Sequence, residues 1–203
     1  MHQVITIDAR GHGKSDKPHK ADAYGLEKRV GDVMAVLDDL GLDKAIFWGY
    51  SMGGRTGFAM AKFAPERLAA IIIGGVTPSE PGFDAFQNID GSDITEFVAM
   101  LERFIGEKVP PERLPDLARN DTCALTALMQ APLDNFGAAF NALTIPKFLY
   151  VGEADGRYNR VKVLAASNPD AVFVSLPGLN HAAGFLRKDL VLPEVLEFLK
   201  AHS

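Results

Sequence analysis

Three polar residues in separate parts of the chain, Ser51, Asp155 and His181, have the types and the order needed for nucleophilic catalysis at a carbonyl carbon. A serine hydroxyl is a poor nucleophile at neutral pH unless a base takes its proton. A histidine can act as that base when a carboxylate fixes its tautomer and stabilises its protonated form. Ser51, His181 and Asp155 are therefore candidates for the nucleophile, the base and the orienting carboxylate.

Ser51 lies in a segment that predicts a buried strand, a sharp turn and a helix. Residues 45–48 are a short apolar run of the kind that a parallel sheet buries on both faces, and from Met52 onward the apolar residues recur at helical spacing. Between them lies a G-x-S-x-G match, Gly49-Tyr50-Ser51-Met52-Gly53. A strand that turns directly into a helix strains its central residue and leaves almost no room for side chains beside it. Taken alone, the pattern could also be a tight connection without a catalytic role.

The segment closely resembles the nucleophile elbow of the α/β-hydrolase family, including a further glycine at Gly54. The resemblance extends to a D-x-R-G-H-G-x-S motif, which is matched here by Asp8, Arg10, Gly11, His12, Gly13 and Ser15. It implies an acid within G-x-x-D, at Asp155, and a base in the loop after the next strand, at His181. By this spacing Asp155 is favoured over Glu153 as the acid. A structural role is favoured for His12, since the base of this fold follows the acid in chain order.

The predicted elements place these residues at one edge of a sheet. Strands are expected at residues 3–8, 45–48, 68–74, 146–152 and 171–176, with helices near residues 26–40, 160–166 and 193–201. Pro193 is expected in the first turn of the last helix. Because the three site loops leave the carboxyl ends of parallel strands, they should converge. The predicted fold class is therefore α/β, a mostly parallel sheet flanked by helices, of α/β-hydrolase type and lacking the usual first strands.

Residues 77–143 interrupt this alternation of strands and helices. They contain short amphipathic segments, such as residues 94–105 and 114–129, separated by prolines. We predict a helical cap of residues 77–143 over a core of residues 1–76 and 144–203. Most of the cap's aromatic and thioether side chains should form its own core, and some should line a substrate pocket: Phe83, Phe86, Phe97, Met100, Phe104, Met129, Phe136 and Phe140.

The resemblance to the family begins at a later strand than the family's first. Family members usually have further strands before the position of Asp8. A loop among those strands supplies half of the oxyanion hole. The backbone N–H of Met52 can supply one donor. If residues 4–8 close up against the elbow strand, a backbone N–H of Ala9 or Arg10 becomes the second donor. A partner subunit in the gap and an incomplete chain are the alternatives, and an exposed sheet edge would allow a homodimer.

Composition and missing motifs argue against other classes of protein. The net charge of -5 and 47% hydrophobic residues fit a globular protein without a nucleic-acid surface. A single cysteine, Cys123, excludes an intrachain disulfide and favours a reducing compartment. We expect a cytoplasmic protein with no membrane partner, because no apolar run approaches a membrane span and no signal core follows the start. No metal or cofactor is expected, since metal-ligand spacing and the phosphate-loop ending are lacking.

Together these features predict a serine hydrolase that cleaves small or medium carboxylic esters through an acyl-serine intermediate. The resemblance leaves thioesterase, amidase, carbon–carbon hydrolase and perhydrolase open. A nucleophilic serine argues against haloalkane dehalogenation, which uses aspartate in this family. The alternative from another class is a hydrolase relic that binds a small ligand or acts as a scaffold without catalysis.

Overall fold

A computed structural model describes residues 3–79, 86–106 and 108–202, apart from the side chains of Phe104 and Ile105. Internal contacts divide the chain into two compact units. The first unit consists of Met1–Ala35 and Pro81–Leu133, and the second of Val36–Glu80 and Asp134–Ser203. The predicted division into a core and a cap uses other boundaries and stays a prediction.

The second unit contains a four-stranded sheet in which all neighbouring strands are parallel. In spatial order its strands are β1 (Ala45–Tyr50), β2 (Leu68–Gly74), β3 (Lys147–Gly152) and β4 (Val172–Leu176). The two inner strands, β2 and β3, are buried over almost their whole length. Their continuous runs of apolar residues are typical of parallel strands that are covered on both faces. The predicted parallel α/β sheet is confirmed.

Helices precede, connect and follow these strands. In chain order they are α1 (Leu26–Asp39), α2 (Met52–Phe63), α3 (Ile94–Ile105), α4 (Leu114–Ala118), α5 (Thr122–Gln130), α6 (Gly137–Ala142), α7 (Tyr158–Ala166), α8 (His181–Leu186) and α9 (Lys188–Ala201). Short 3-10 turns lie at Ala21–Tyr24, Pro65–Arg67 and Pro111–Arg113. Among the helices of the described segments, none has both the length and the apolar character needed to cross a membrane.

Alternating side chains of the inner strands contact helices on opposite faces of the sheet. On one face, Ile73 lies against α2, where a Cβ at Gly57 would be 3.3 Å from its Cδ1. On the other face, Ile72 belongs to a buried cluster with Val195 and Phe198 of α9. Phe198 packs on Phe148 of β3 with ring centroids 5.3 Å apart. Burying one such side chain stabilises a fold by about 1.5–3 kcal/mol, so this layer holds α9 against the sheet.

The predicted strand at residues 3–8 is wrong, because these residues form neither strand nor helix. A strand is stabilised by backbone hydrogen bonds to a neighbour. Within the described ranges β1 pairs with β2 only and forms the end of the sheet. The side chains of Val4 and Ile7 are 81% and 42% exposed. The pairing of residues 4–8 with the elbow strand, one of the alternatives above, is therefore not observed, and α1 does not connect two paired strands.

Two predicted helices have different limits in the structure. The helix expected over residues 114–129 is divided into α4 and α5, because the Asp121 carboxylate accepts a hydrogen bond from the Ala124 N–H and starts a new helix. The last helix begins at Lys188, so Pro193 lies inside it and not in its first turn. Proline has no N–H to donate to the preceding turn, but Val191 and Val195 are both buried on either side and keep this part of α9 on the sheet.

The aromatic residues assigned to the cap are found in both units. In the first unit, Phe86, Ile89 and Phe97 form a buried cluster with Met100 and Met129 packed around it. In the second unit the remaining pair contact α2 instead: Phe136 lies 5.5 Å from Phe63 and Phe140 lies 4.9 Å from Phe58, centroid to centroid. Phe83 and the side chain of Phe104 lie outside the described residues.

Candidate active site

Ser51 lies between β1 and α2 in a backbone conformation that is rare for a side-chain-bearing residue. Its φ of 49° makes it the only non-glycine with a positive φ among the described residues. Such a conformation costs on the order of 1–3 kcal/mol and persists only where the surroundings enforce it. Here the Ser51 N–H donates to the carbonyl oxygen of Gly74 on β2, at 2.8 Å. The serine is therefore held out of the strand and at the start of the helix.

The glycines of the G-x-S-x-G pattern are not equally constrained. A Cβ at Gly49 would lie 2.4 Å from the carbonyl carbon of Gly53, and one at Gly54 would lie 2.6 Å from Cγ1 of Val76. A Cβ at Gly53 would meet no atom within 4 Å. The expectation that both flanking positions exclude side chains is confirmed for Gly49, whose Cβ would overlap the backbone at the start of α2, and wrong for Gly53, whose Cβ would meet open space.

The structure joins the three predicted site residues by hydrogen bonds. His181 Nε2 lies 2.9 Å from Ser51 Oγ, and His181 Nδ1 lies 2.6 Å from Asp155 Oδ2. A carboxylate accepts hydrogen bonds only, so the Nδ1 nitrogen carries a proton and Nε2 is left to accept the serine hydroxyl. These residues follow β1, β3 and β4 at one edge of the sheet, which is the convergence that the topology predicts.

The Asp155 side chain is fully enclosed and remains ionised for clear reasons. Burial by itself raises the pKa of this carboxyl, whereas the hydrogen bond and charge of His181 and the N–H and guanidinium of Arg157 lower it, and the net pKa lies below its ordinary value. The Arg157 N–H donates to Oδ1 at 2.9 Å, and its guanidinium lies 3.5 Å from the same oxygen. Each carboxylate oxygen therefore has a donor.

The loops that carry the acid and the base are attached to each other. The Ala154 N–H donates to the carbonyl oxygen of Leu179 at 3.0 Å. A Cβ at Gly152 would lie 2.0 Å from that same oxygen, so only glycine allows the two loops to approach. Asp155 and His181 therefore keep a fixed separation through their backbones as well as through their side chains.

His181 is the first residue of α8, where sequence analysis expected a loop. The Asn180 side chain accepts a hydrogen bond from the Ala183 N–H at 2.8 Å and caps this six-residue helix. Asparagine is among the preferred residues at this position. The sequence therefore contains a signal for the start of a helix, Asn180 followed by an alanine-containing run. A helix of six residues is too short to show a helical period of apolar residues, so the signal was missed.

The alternative acid and base have other partners. The carboxylate of Glu153 accepts a hydrogen bond from the Ser175 hydroxyl at 3.0 Å on the exposed side of the sheet. His12 lies in the first unit, where its Nδ1 is 3.3 Å from the carbonyl oxygen of Arg10. Neither contact belongs to the hydrogen-bonded set of Ser51, His181 and Asp155.

The predicted oxyanion donors are Met52, Ala9 and Arg10. Met52 is the first residue of α2, where helix N–H groups point towards the N-terminal end of the helix. Ala9 and Arg10 belong to the first unit, and within the described ranges no acceptor is found for their backbone N–H groups. The Arg10 guanidinium is bound by the carboxylate of Asp32 and the carbonyl oxygen of Ala23, so its side chain serves the first unit. The role of all three N–H groups stays a prediction.

One cluster in the described part of the chain has side chains that could hold a metal ion: His19, Asp121 and Cys123, with donor atoms within 4.8 Å of one another. Both Asp121 oxygens are already used, since Oδ1 caps α5 and Oδ2 lies 2.8 Å from His19 Nε2. An ion would have to replace the second of these hydrogen bonds. The arrangement is explained by a helix cap and a hydrogen bond, and we assign it no metal.

Comparison with known proteins gives the family. A model of the alpha/beta hydrolase fold matches residues 1–171 of the chain. The chain belongs to the alpha/beta hydrolase fold family. The structure of a hydrolase from Pseudomonas aeruginosa PA01 superimposes on this family member with a TM-score of 0.76 and 25% identity, over 94% of this chain and 77% of that chain.

Two curated relatives are similar to parts of this alpha/beta hydrolase. It is 33% identical over 117 residues to the sn-1-specific diacylglycerol lipase ABHD11 of Mus musculus. The aligned segment covers 57% of this chain and 35% of the lipase. It is 30% identical over 129 residues to epoxide hydrolase 3 of Siraitia grosvenorii, which covers 61% of this chain and 38% of that protein. The matched segment therefore spans little more than a third of either relative.

We expect Gly49→Ala to destabilise the second unit and Gly53→Ala to leave it stable. The Cβ at position 49 would overlap the backbone of the turn, which should lower the free energy of unfolding by at least about 1–3 kcal/mol. Alanine at position 53 meets open space inside α2 and should raise it by up to about 1 kcal/mol. Urea unfolding of both variants would measure this, and equal stability would contradict the elbow geometry.

We expect Asp155→Asn to abolish most of the activity, because the amide can present an N–H to the histidine and stabilise the wrong tautomer. The loss in kcat should be on the order of 10⁴-fold. Glu153→Gln is the matched control, since in the described part of the chain its carboxylate is hydrogen-bonded to Ser175 and to no residue of the site, and kcat should stay within about twofold of the wild type. Steady-state kinetics on any substrate that the wild type turns over would decide. A larger loss in the Glu153 variant would assign the acid to the other carboxylate.

Proposed function

We propose that this alpha/beta hydrolase is a serine hydrolase that cleaves carboxylic esters of small or medium size. The observation that supports the proposal most directly is the hydrogen-bonded series from Asp155 through His181 to Ser51. A serine hydroxyl becomes a nucleophile when an imidazole takes its proton and a carboxylate orients that imidazole. The structure has a buried carboxylate, an imidazole next to it, and a serine held at a strained turn. A hydrolase relic would not need to keep all three side chains in this hydrogen-bonded order.

The proposed reaction has two similar halves. Ser51 Oγ attacks the ester carbonyl carbon while His181 Nε2 takes its proton, and the electron pair of the carbonyl bond moves to the oxygen. The tetrahedral intermediate then collapses, the ester C–O bond breaks, and the alcohol leaves with the proton from His181. Water attacks the acyl-serine with His181 as the base again, and the acid and free Ser51 are regenerated. Asp155 remains a carboxylate throughout, since its pKa lies below its ordinary value.

The oxyanion in this reaction needs hydrogen-bond donors. The Met52 N–H follows the nucleophile directly and begins α2, so the helix also contributes its positive end. For the second donor the N–H of Ala9 or Arg10 stays a prediction, without the pairing of residues 4–8 with β1 from which it was derived. Each donor of this kind is worth about a hundredfold or more in kcat.

The chemistry of serine favours carbonyl substrates over epoxides, although both a lipase and an epoxide hydrolase are among the relatives. Attack of Ser51 on an epoxide carbon would leave an alkyl ether on the enzyme, and an ether has no carbonyl carbon for water to attack. Attack on an ester gives an acyl-serine, which water cleaves with the same residues. Thioesters, activated amides and carbon–carbon bonds next to a carbonyl would use the same steps, and esters are the least demanding of these substrates.

The cellular location and the partners of the enzyme are also proposals. We propose a cytoplasmic protein without nucleic-acid or membrane partners, in keeping with its charge of -5 and single cysteine. A homodimer stays a prediction. The helical segments of residues 77–143 are proposed as the cap that selects among substrates.

Ser51→Ala should abolish ester hydrolysis. With a short-chain p-nitrophenyl ester, kcat should fall on the order of 10⁶-fold, to the background rate, because no other group can form the acyl intermediate. A fluorophosphonate probe should label the wild type and not the variant. Equal turnover by both proteins would exclude the proposed function. Binding of the ester without labelling or turnover by the wild type would favour the relic.

Replacing the proposed second oxyanion donor should lower kcat with the fold intact. Proline removes a backbone N–H, so whichever of Ala9→Pro and Arg10→Pro removes the donor should lose about a hundredfold in kcat. Because Arg10→Pro also removes the guanidinium that binds Asp32 and the Ala23 carbonyl oxygen, Arg10→Ala controls for that loss, and thermal unfolding of each variant verifies that the fold survives. Two folded variants with wild-type kcat would show that the donor lies elsewhere.

A further inference from the structure

Tyr50, the residue directly before the nucleophile, is bonded to the backbone of the base. Its hydroxyl donates to the carbonyl oxygen of His181 at 2.7 Å. Its ring also lies against the imidazole, with centroids 5.2 Å apart and planes inclined by 37°. The side chain at the second position of G-x-S-x-G is therefore in contact with the residue that must take the serine proton.

Two glycines and two aromatic side chains surround the Tyr50 ring and determine its orientation. A Cβ at Gly75 would be 2.5 Å from the ring carbon Cζ, and one at Gly184 would be 2.8 Å from the hydroxyl oxygen. Tyr150 of β3 and Phe185 of α8 pack against the remaining ring surface, with centroids 5.7 and 5.6 Å away. Two glycines and two aromatic rings thus fix the direction in which the hydroxyl points.

The His181 backbone needs such a contact. The hydrogen bonds to Asp155 and Ser51 orient the imidazole, but they act at the end of a side chain that begins on a short helix. Short helices have little stability of their own, and their first turn is where fraying occurs. The Tyr50 hydroxyl ties the first residue of α8 to the last residue of β1, next to Ser51.

We infer that Tyr50 is a positioning residue that holds His181 at the proton-transfer distance from Ser51. The inference rests on the proposed function, because it concerns the same base and nucleophile. Tyr50 acts through the backbone of His181, since its only hydroxyl proton is already given to that carbonyl oxygen. Displacement of a catalytic group by about 1 Å can cost a hundredfold in rate. Loss of one anchor among several should therefore lower kcat by about tenfold and leave KM within about twofold.

Tyr50→Phe is the direct test, because it keeps the ring and removes the hydroxyl. Tyr150→Phe is the matched control, because it keeps the ring that packs on Tyr50 and removes only a hydroxyl that accepts a hydrogen bond from Trp48 Nε1 at 3.1 Å. Both variants lose one hydrogen-bonded tyrosine hydroxyl, so a general effect of removing such a group should be similar in the two. The expected result with a p-nitrophenyl ester is a tenfold lower kcat for Tyr50→Phe alone, with similar thermal unfolding of both.

A double-mutant comparison separates positioning from a structural effect. In a His181→Ala background, Tyr50→Phe should cause no further loss in the rate at which a fluorophosphonate labels Ser51, because the group that it positions is absent. A tenfold loss in both backgrounds would overturn the inference, and so would a wild-type kcat for Tyr50→Phe. Full turnover by His181→Ala itself would overturn the proposed function instead. If Tyr50→Phe does not fold, Gly184→Ala displaces the hydroxyl from the other side and should reproduce the kcat loss.

Discussion

The positive φ of Ser51 is the constraint on which the rest of the site depends. A strand that continued normally would place Ser51 within the sheet, and its hydroxyl could not meet a histidine that follows β4. The strain, on the order of 1–3 kcal/mol, is offset by contacts that the fold makes anyway. The carbonyl oxygen of Gly74 in β2 accepts a hydrogen bond from the Ser51 N–H, and Gly49 leaves room for the turn. The contact between Phe58 and Phe140 holds α2 against α6. The nucleophile is therefore positioned by the sheet and by α2 together.

The second requirement is a carboxylate that stays charged although it is enclosed. Burying an unpaired charge costs free energy, so the carboxylate of Asp155 needs partners. It has three: the imidazole of His181, and the backbone N–H and guanidinium of Arg157. The same contacts that lower its pKa also fix the tautomer of His181, so one arrangement provides both the stability of the site and its chemistry. The backbone contact between the two loops makes this arrangement rigid.

Much of the site could be predicted from the sequence, because the relevant signals are local. The elbow, β2, β3 and the residues that follow the strands are each marked by a few neighbouring residues, such as Gly49 and the apolar run of β2. The absence of a strand at residues 3–8 could not be predicted in this way, since a strand also needs a distant neighbour. Two further features were missed for the same kind of reason: the open space beside Gly53 depends on tertiary packing, and α8 is too short to show a period.

The family fold alone does not decide which bond is broken, because one scaffold carries many reactions. What decides is the atom placed at the turn. A carboxylate there could open an epoxide and leave an ester that water can hydrolyse, whereas the Ser51 hydroxyl can leave a hydrolysable bond only by taking an acyl group. The backbone geometry would hold either side chain equally well, since the strain arises from φ and the glycine contacts and not from the hydroxyl. The elbow thus supplies position, and residue 51 supplies the reaction class.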